Sequence, residues 1–347
     1  MQLIVLGLNH KTAPVEIRER FNFSQDRTVR VLRRLRNNDN LNEAVLLSTC
    51  NRTELYMVLE DPAAGLHFIR TLLRHLAGEQ YKPDYFYNLT GINCVRHLFK
   101  VASSLDSLII GEGQILSQIK NAYHLSRSCG MTDTLFNTLF NRAIAVGKRV
   151  RTETKIAYSS VSVSSAAVDL AIDVVGDLTK ANILVLGAGR MSELTARHLI
   201  DKGAKTIFVS NRNLSHAQEL AEKFNGTAIP YNEFMHQAIT SDIIITSTGA
   251  PHYVITEQGV RDIIPKRSGK PLILVDIAVP RDVDPLVGDI EGVTLYNIDD
   301  LEGVVDMNKN FRSSEAKVAE AIIDEEITAL KERLRYLTMR PVMVSAA

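Results

Sequence analysis

The sequence has few of the features that mark membrane-inserted or disulfide-bonded proteins. Its three cysteines, Cys50, Cys94 and Cys129, lie far apart and form no C-x-x-C pair, so neither a disulfide framework nor a zinc ribbon is indicated. No run of about 18 apolar residues occurs, and no basic leader with an apolar core precedes the first strand. We therefore expect a soluble cytoplasmic protein with reduced thiols and no membrane partner.

A formal net charge of zero conceals an uneven distribution of charge along the chain. Residues 1–155 contain 21 of the 40 Lys and Arg residues but only 14 of the 40 Asp and Glu residues, so the first half is basic. A solvated helix face explains either of its two clusters alone, but together they indicate a polyanionic substrate. The clusters consist of Arg27, Arg30, Arg33, Arg34 and Arg36, and of Arg142, Lys148, Arg149, Arg151 and Lys155.

The segment around Cys50 is the first candidate site. Apolar residues predict one strand at 44–47 and another at 53–59, and the polar sequence S-T-C-N-R separates them. Cys50 would then lie at a strand end, reachable from a cleft, where Arg52 can stabilise the thiolate that attacks carbonyl carbon. The alternative is a buried structural cysteine, since free cysteines are among the most buried residues. With the preceding strand 2–8 and a helix capped by Ser24, the pattern predicts a small α+β domain with one sheet face covered.

A second polar segment follows a predicted helix that contains His97. His97 lies beside the apolar stripe of that helix, where a histidine is more often a satisfied core residue than a catalyst. The next segment, L-D-S-L-I-I-G-E-G-Q-I-L-S-Q, is unusually polar for a core and precedes another helix. Its glycines also fit a capped turn. The candidate ligands for a polar, charged small molecule are Ser107, Glu112, Gln114 and Gln118.

Beyond residue 155 the pattern becomes a βαβ unit. An apolar strand at 182–186 is followed by a glycine-rich turn, a helix to about Lys202 and a strand at 206–210. A G-x-G-x-x-S turn in this context predicts dinucleotide binding, with the pyrophosphate at the helix N-terminus. The second strand ends in Asn211 and Arg212 without an acid for a ribose 2′-hydroxyl, which favours NADPH over NADH. The turn consists of Gly187, Ala188, Gly189, Arg190, Met191 and Ser192.

The remaining chain predicts two more strands of this sheet and one long helix. Strands at 243–245 and 272–276 end in small or polar loops, which we expect on the nicotinamide side of the sheet. From about Leu301 an amphipathic pattern predicts a spine between domains or a dimer contact. It uses Phe311, Val318, Ile322, Ile323, Ile327, Leu330 and Leu334. The predicted domains are therefore 1–155 (catalytic), 156–298 (Rossmann-like, nucleotide-binding) and 299–347 (long helix).

Five segments in this order resemble glutamyl-tRNA reductases. They are G-L-N-H-K-T-A-P at the end of the first strand, S-T-C-N-R-T-E at 48–54, S-L-D-S-L-I-I-G-E at 104–112, G-A-G-R-M at 187–191 and D-I-A-V-P-R-D at 276–282. The resemblance implies an N-terminal α+β catalytic domain, a Rossmann-like NADPH domain and a long C-terminal spinal helix. It also implies reduction of tRNA-bound glutamate to glutamate-1-semialdehyde, the first committed step of five-carbon tetrapyrrole synthesis.

The resemblance assigns roles to individual residues. Cys50 matches the nucleophile that forms a thioester and expels tRNA, and His97 matches a position needed for activity. The Gly187–Ser192 turn, with Asn211 and Arg212, would bind NADPH, and no metal role follows from the spacing of His10 and His97. Implied partners are glutamyl-tRNA, an aminomutase that accepts the product, and a second copy of the chain. The implied substrate contacts are Thr49, Asn51, Arg52, Ser107, Glu112, Gly113, Gln114 and Gln118.

Three departures from the family pattern stand out. Ser192 occupies a position that is commonly glycine-like, and Gly113 replaces a frequent proline, which makes the Glu112 loop more flexible. The sequence stops at Ala347, so we expect a truncated dimerisation region. Two alternatives stay open at this point. One is a shikimate-dehydrogenase-like oxidoreductase without thiol chemistry, and the other is a non-catalytic tRNA-binding regulatory homologue.

Overall fold

The computed structural model describes residues 1–77, 82–107, 114–154, 156, 163–301 and 309–344. The chain divides into two compact units, Met1–Ser160 together with Asn308–Ala347, and Val161–Met307. The last segment therefore groups with the N-terminal unit. The three-domain division drawn from the sequence stays a prediction. Within the described ranges, no helix combines the length and apolar character that crossing a membrane requires.

An antiparallel sheet organises the first unit. Its strands are β1 (Gln2–Asn9), β2 (Leu41–Ser48), β3 (Arg52–Leu59) and β4 (Tyr87–Thr90), in the order β2-β3-β1-β4. Strands β2 and β3 form a hairpin in which Ser48 pairs with Thr53, so residues 49–51 make the turn. Strand β2 is consequently an edge of the sheet, and Cys50 lies at the tip of the hairpin.

Helices cover both faces of this sheet, whereas the sequence predicted one covered face. The helices are α1 (Val15–Arg18), α2 (Gln25–Leu35), α3 (Pro62–Ala77), α4 (Gly91–Ala102), α5 (Gln114–Ser128) and α6 (Thr134–Glu153). The face that carries Val45 and Tyr56 packs on α4, α5 and α6, and the face that carries Leu46 and Met57 packs on α2 and α3. All eight residues of β3 are buried. The prediction was wrong because the polar residues of β3 pair internally and do not face water.

A parallel sheet forms the second unit. Its strands are β5 (Asn182–Leu186), β6 (Thr206–Ser210), β7 (Thr227–Ile229), β8 (Ile243–Thr246), β9 (Leu272–Asp276) and β10 (Val293–Asn297), in the order β10-β9-β8-β5-β6-β7. The helices are α7 (Val163–Val175), α8 (Arg190–Asp201), α9 (Leu214–Lys223), α10 (Phe234–Ala238) and α11 (Glu257–Ile263). The strand order reverses between β5 and β8, which is the doubly wound arrangement of Rossmann folds and confirms the predicted βαβ pattern.

The last helix, α12 (Lys309–Val344), packs on α4 and α6. Its buried residues Ala319, Ile323 and Ile327 join the core of the first unit, but Val318, predicted in the apolar stripe, is 48% exposed. Two arginines of α6 are ion-paired with α12, since Arg142 and Arg149 both contact Glu326. These two members of the second predicted basic cluster are therefore neutralised within the protein.

Candidate active site

The turn that carries Cys50 is held by hydrogen bonds from three directions. The hydroxyl Oγ1 of Thr49 accepts from the backbone N–H groups of Asn51 (3.2 Å) and Arg52 (3.1 Å). Nη1 of Arg18 donates to the carbonyl of Cys50 at 2.9 Å and to Oδ1 of Asn51 at 3.1 Å. The backbone N–H of His10 donates to the carbonyl of Asn51. Cys50 is half-buried, so a fixed backbone carries a thiol at the wall of a cleft.

A narrow cleft brings together seven of the residues predicted from the sequence. Besides Cys50, the apolar Ile115 contributes to its wall. Glu112 and Gly113 lie outside the described residues, so their predicted roles stay predictions. The polar side chains around the thiol come from the hairpin turn, from the segment after α4 and from the first turn of α5. They are Thr49, Asn51, Arg52, Ser107, Gln114 and Gln118.

Arg52 connects this cleft with a buried cluster of charges. Its guanidinium is 1% exposed and pairs with Glu54 at 2.6 Å and with Asp106 at 3.1 Å. It also donates to the backbone carbonyl of Asp106, and Asp106 pairs in turn with Lys11. Burial raises the pKa of the Asp106 carboxyl, but Arg52 and Lys11 outweigh burial and hold it below its ordinary value. Two carboxylates thus fix the position of the Arg52 side chain.

Glu54 is the centre of the cluster. Its carboxylate is fully buried and accepts hydrogen bonds from Tyr56 (2.6 Å), Tyr87 (2.5 Å) and Nε2 of His97 (2.9 Å), besides its pair with Arg52. Burial alone would raise the pKa of Glu54, but the charges of Arg52 and His97 outweigh it, and the pKa is lowered. Burial and the nearby carboxylate raise the pKa values of both tyrosines well above their ordinary value. A charged carboxylate with four donors therefore lies beneath the cleft.

His97 belongs to this cluster rather than to the lining of the cleft. Its side chain is 11% exposed, and its ring packs edge-on against Tyr87 with centroids 5.3 Å apart. Because the Glu54 carboxylate accepts the hydrogen bond from Nε2 of His97, the neutral imidazole carries its proton on Nε2. Nδ1 is then left as an acceptor. The predicted catalytic role of His97 stays a prediction, and the structure adds the partner that fixes its tautomer.

Sequence reasoning left several residues of the site without a role. Arg18, Tyr87 and Asp106 carry no short-range signal, because each reaches the site through the fold. Glu54 had a signal. Strand residues i and i+2 face the same side of a sheet, so Arg52 and Glu54, followed by apolar residues, form an ion pair on a buried face. Opposite charges two positions apart in a buried strand indicate such a pair.

His10 lies near the same charges. Burial, followed by the charges of Arg52 and Lys11, lowers the pKa of His10 from 6.5 to about 4. His10 is therefore neutral at physiological pH. Its position also explains the segment G-L-N-H-K-T-A-P, since β1 ends beside the Cys50 turn and this loop supplies both His10 and Lys11.

The second unit forms a glycine-rich turn where the chain leaves β5, at the position predicted to bind phosphate. Gly187 has φ +112°, and a Cβ there would lie 2.9 Å from both Ser192 Oγ and the carbonyl oxygen of Ser247. Gly189 begins α8 without a side-chain cap, and a Cβ there would meet nothing within 4 Å. Open space therefore lies beside Gly189 at the N-terminus of α8, where the first N–H groups of a helix have no partner within the helix. Ser192 is buried, and its Oγ is hydrogen-bonded to Ser247 Oγ at 2.7 Å.

The ends of β6, β8 and β9 lie at the same sheet edge as this turn. In the register, Leu186 pairs with Ser210 and with Thr246, and Thr246 pairs with Asp276. Asn211 and the exposed Arg212 directly follow β6, and their predicted contact with the ribose end of a dinucleotide stays a prediction. Arg190 is exposed and Met191 half-buried at the start of α8.

Two buried carboxylates lie at the end of β9 and in the loop that follows it. Asp276 accepts from Thr246 Oγ1 and from the backbone N–H groups of Ala278, Asp282 and Val283. Burial, and then the charge of Asp282, raise the pKa of Asp276 from 3.8 to about 7. Asp282 accepts from the N–H of Thr248 at 2.7 Å. The pair joins the loops after β8 and β9 beside the glycine-rich turn.

A half-buried thiol in a polar cleft and a separate Rossmann-type sheet with a glycine-rich turn after β5 define a two-unit oxidoreductase that uses a nucleotide cofactor. Residues 6–154 match the family model described as the glutamyl-tRNAGlu reductase N-terminal domain, and residues 169–304 match that of shikimate / quinate 5-dehydrogenase. The chain belongs to the glutamyl-tRNA reductase family. Members of this family act in the first step of tetrapyrrole synthesis.

Individual relatives agree with this assignment. The glutamyl-tRNA reductase of Trichlorobacter lovleyi is 45% identical over 99% of this chain and 80% of its own length. That of Syntrophotalea carbinolica is 46% identical over 99% of this chain and 78% of its own length. The solved structure of the Methanopyrus kandleri enzyme is 36% identical and superimposes with a TM-score of 0.53, covering 99% of this chain and 82% of that chain.

These findings favour the reductase over both alternatives. The nucleotide-binding unit resembles shikimate dehydrogenases, which explains why its sequence pattern also suggested that class. The N-terminal unit carries the family identity, and whole-chain relatives are named as enzymes.

Proposed function

We propose that this protein reduces the glutamyl ester of tRNA to glutamate-1-semialdehyde with NADPH, through a thioester on Cys50. The observation that carries the proposal is the placement of the thiol. Cys50 lies on a hydrogen-bonded turn at the wall of a cleft, and six predicted polar contacts of the substrate line the same cleft. The polar lining suits glutamate, which is charged at both ends.

The covalent step exchanges an oxygen ester for a thioester. The Cys50 thiolate attacks the ester carbonyl, a carbon–sulfur bond forms, and the carbon–oxygen bond to the ribose breaks. The tRNA hydroxyl leaves with a proton. A thioester is reduced more easily than an oxygen ester, which is the chemical reason for cysteine at this position. NADPH, when bound, supplies the hydride that replaces sulfur on the carbonyl carbon, and the Cys50 thiolate is released.

We assign the substrate contacts to the cleft residues Thr49, Asn51, Arg52, Ser107, Gln114 and Gln118. Arg52 is fixed by Glu54 on its buried side, so its contribution is a positioned positive charge rather than a mobile one. Glu112 and Gly113 complete the set as predictions from the sequence.

We assign NADPH to the second unit. The open Gly187–Ser192 turn suits the pyrophosphate, and no acidic residue follows β6 to select a free ribose 2′-hydroxyl. The exposed Arg212 is placed after that strand and suits a 2′-phosphate. NADPH is therefore favoured over NADH.

We retain three further predictions from the resemblance. The helix α12 would serve as the spine and as a dimer contact, the aldehyde would pass to an aminomutase partner, and the protein would act in the cytoplasm. Sedimentation with and without tRNA tests the dimer. A single species at the monomer mass in both samples would contradict it.

Trapping the acyl-enzyme tests the central proposal. Wild-type protein incubated with glutamyl-tRNA in the absence of NADPH should gain one glutamyl group by intact-protein mass spectrometry, and Cys50→Ser should gain none. Cys129→Ser is the matched control, since Cys129 is also half-buried, and it should behave like wild type. Full aldehyde production by Cys50→Ser, or turnover of a free small molecule that carries no glutamyl ester or thioester, would overturn the proposal in favour of a dehydrogenase without thiol chemistry.

A further inference from the structure

A second groove adjoins the Cys50 cleft. Gln118 lines both spaces, and Ser48 in the groove immediately precedes Thr49 in the cleft. The groove has a volume of about 530 Å³ and follows α5 from Gln118 to Ser128. Ten residues of helix correspond to a length of about 15 Å. Its near end therefore meets the reacting thiol site, and its far end lies well outside it.

The open edge of β2 forms part of the groove. The backbone N–H of Ala44 donates away from β3, to the carbonyl of Met131, at 2.8 Å. Because backbone direction alternates along a strand, the N–H and C=O of Leu46, which lines the groove, point outward as well. A donor and an acceptor of one residue thus lie side by side. Polar side chains from both flanking helices complete the walls, including Thr28 from α2 and Asn121 from α5.

The α2 side of the groove is strongly basic. Residues 25–36 contain five arginines and one aspartate. The guanidinium of Arg27 lies over the ring of Phe23, a groove residue, at 4.6 Å from its centroid. Arg36 Nη1 lies near Gly130, just beyond the far end of the groove, at 3.9 Å from where a Cβ of that glycine would be. Positive charge therefore lies at both ends of the groove, beside Phe23 near Ser48 and beside Gly130 at the far end, which suits a phosphate backbone that runs along it.

We propose that this groove binds the 3′-terminal adenosine of the acylated tRNA. The inference rests on the proposed function, because the ester bond ties the terminal ribose to the carbon that Cys50 attacks. The nucleoside must then occupy the first space outside the cleft, and Gln118 leads directly into this groove. Adenine presents an acceptor, N7, beside its N6 amino donor, which matches the N–H and C=O of an edge strand.

The same geometry disfavours a peptide strand as the occupant. An added strand needs a run of free backbone groups along the edge. The edge of β2 is already occupied at Ala44 by Met131, so only the stretch from Leu46 to Ser48 remains. The basic α2 side also suits phosphate better than a peptide backbone.

A groove-filling variant tests the proposal. Asn121→Trp places a large side chain in the groove, and Ser117→Trp is the matched control, because Ser117 is exposed on the same helix and lines neither space. Three probes are used with each protein: glutamyl-tRNA, an α-thioester of glutamate with a small thiol, and the trinucleotide C-C-A as a competitor. Circular dichroism checks that both variants are folded.

We expect Asn121→Trp to raise the KM for glutamyl-tRNA roughly tenfold, the loss typical of one base contact. Reduction of the small thioester should be unchanged, and C-C-A should inhibit wild type and Ser117→Trp but not Asn121→Trp. Equal KM values for glutamyl-tRNA in the two variants would overturn the groove assignment and leave the reductase proposal standing. Wild-type protein that reduces neither acyl substrate would instead overturn the proposed function.

Discussion

Glu54 and His97 are joined by a hydrogen bond of 2.9 Å between Oε1 and Nε2, beneath the cleft that holds Cys50. The same carboxylate holds Arg52, a residue of the cleft wall. One buried charge therefore sets both the orientation of the imidazole and the position of the guanidinium. We infer that Glu54 acts as a positioning residue for the proposed reaction.

Replacement of this carboxylate should reduce stability and turnover together. Glu54→Gln leaves the buried Arg52 with one charged partner fewer, and breaking a buried ion pair costs about 3–5 kcal/mol of unfolding free energy. It also turns an acceptor of four hydrogen bonds into a mixed donor and acceptor. We expect kcat to fall more than KM rises, since the substrate contacts remain in the cleft. Urea unfolding and steady-state kinetics measure the two effects.

Tyr56→Phe is the control for this variant. It removes one donor to Glu54 without changing any charge, so we expect a cost of about 1 kcal/mol and little change in kcat. If Glu54→Gln and Tyr56→Phe lowered the unfolding free energy and kcat equally, the number of hydrogen bonds to this carboxylate would matter and its charge would not.

The two glycines of the nucleotide turn should respond differently to alanine. Gly187→Ala forces a side chain onto φ +112° and against Ser192 and Ser247, so it should destabilise the chain even without cofactor. Gly189 has φ −84°, which alanine adopts without strain, and a Cβ there would meet nothing within 4 Å. The stability of Gly189→Ala should therefore be unchanged. NADPH binding should still weaken, because the new methyl group lies where the pyrophosphate approaches.

Thermal unfolding without cofactor and NADPH titration by fluorescence separate these two effects. If Gly189→Ala binds NADPH as tightly as wild type, the pyrophosphate does not lie on the α8 N-terminus. If Gly187→Ala unfolds at the wild-type temperature, the loop relaxes around the new side chain.

The local pattern predicted those parts of the fold whose signal lies within one element. The strands at 182–186, 206–210 and 272–276 were predicted with the bounds that the structure has. The glycine-rich turn between β5 and α8 was also predictable, because its glycines lie between one strand and one helix. The covering of both faces of the first sheet was not predictable, because α5 and α6, on the face opposite to α2 and α3, come later in the chain than every strand of that sheet.

The same distinction holds within the candidate site. Cys50, Thr49 and Asn51 lie in one turn and were recognisable from a short motif. Tyr87 reaches Glu54 from another strand, and Asp106 reaches Arg52 from a position 54 residues away. Such pairings depend on the register of β1, β3 and β4 and on where α4 ends before Asp106. They cannot be predicted from the periodicity of apolar residues in the sequence.

The cofactor preference should depend on Arg212. Arg212→Ala removes the positive charge after β6, so we expect the KM for NADPH to rise roughly tenfold, as for the loss of one charge-assisted hydrogen bond. The KM for NADH should change little, since NADH lacks the 2′-phosphate. Arg197→Ala, an exposed arginine on α8, controls for the change in net charge. Equal effects on the two cofactors would contradict the assignment of Arg212 to the 2′-phosphate.

The buried pair Asp276 and Asp282 should make stability depend on pH near neutrality. Asp276 keeps its proton in the folded chain up to about pH 7, but releases it near its ordinary value of 3.8 when unfolded. The folded chain then binds more protons over this interval, so stability falls as pH rises from 3.8 to about 7. Burial is the first cause of the raised pKa of Asp276, and the charge of Asp282 is the second. Asp282→Asn removes this charge and keeps an oxygen that can accept from the N–H of Thr248. We expect a shallower decline of stability with pH in this variant, because a tenfold change in proton affinity is worth about 1.4 kcal/mol.

Thermal unfolding midpoints measured across this pH range test the expectation. Asp289→Asn is the matched control, since Asp289 is an exposed aspartate on the segment that follows β9, and its pH profile should equal that of wild type. The sign distinguishes this pair from an ordinary salt-bridged carboxylate, which loses stability as pH falls. A profile for Asp282→Asn that is steeper than wild type between pH 3.8 and about 7 would show that Asp282 does not raise the pKa of Asp276.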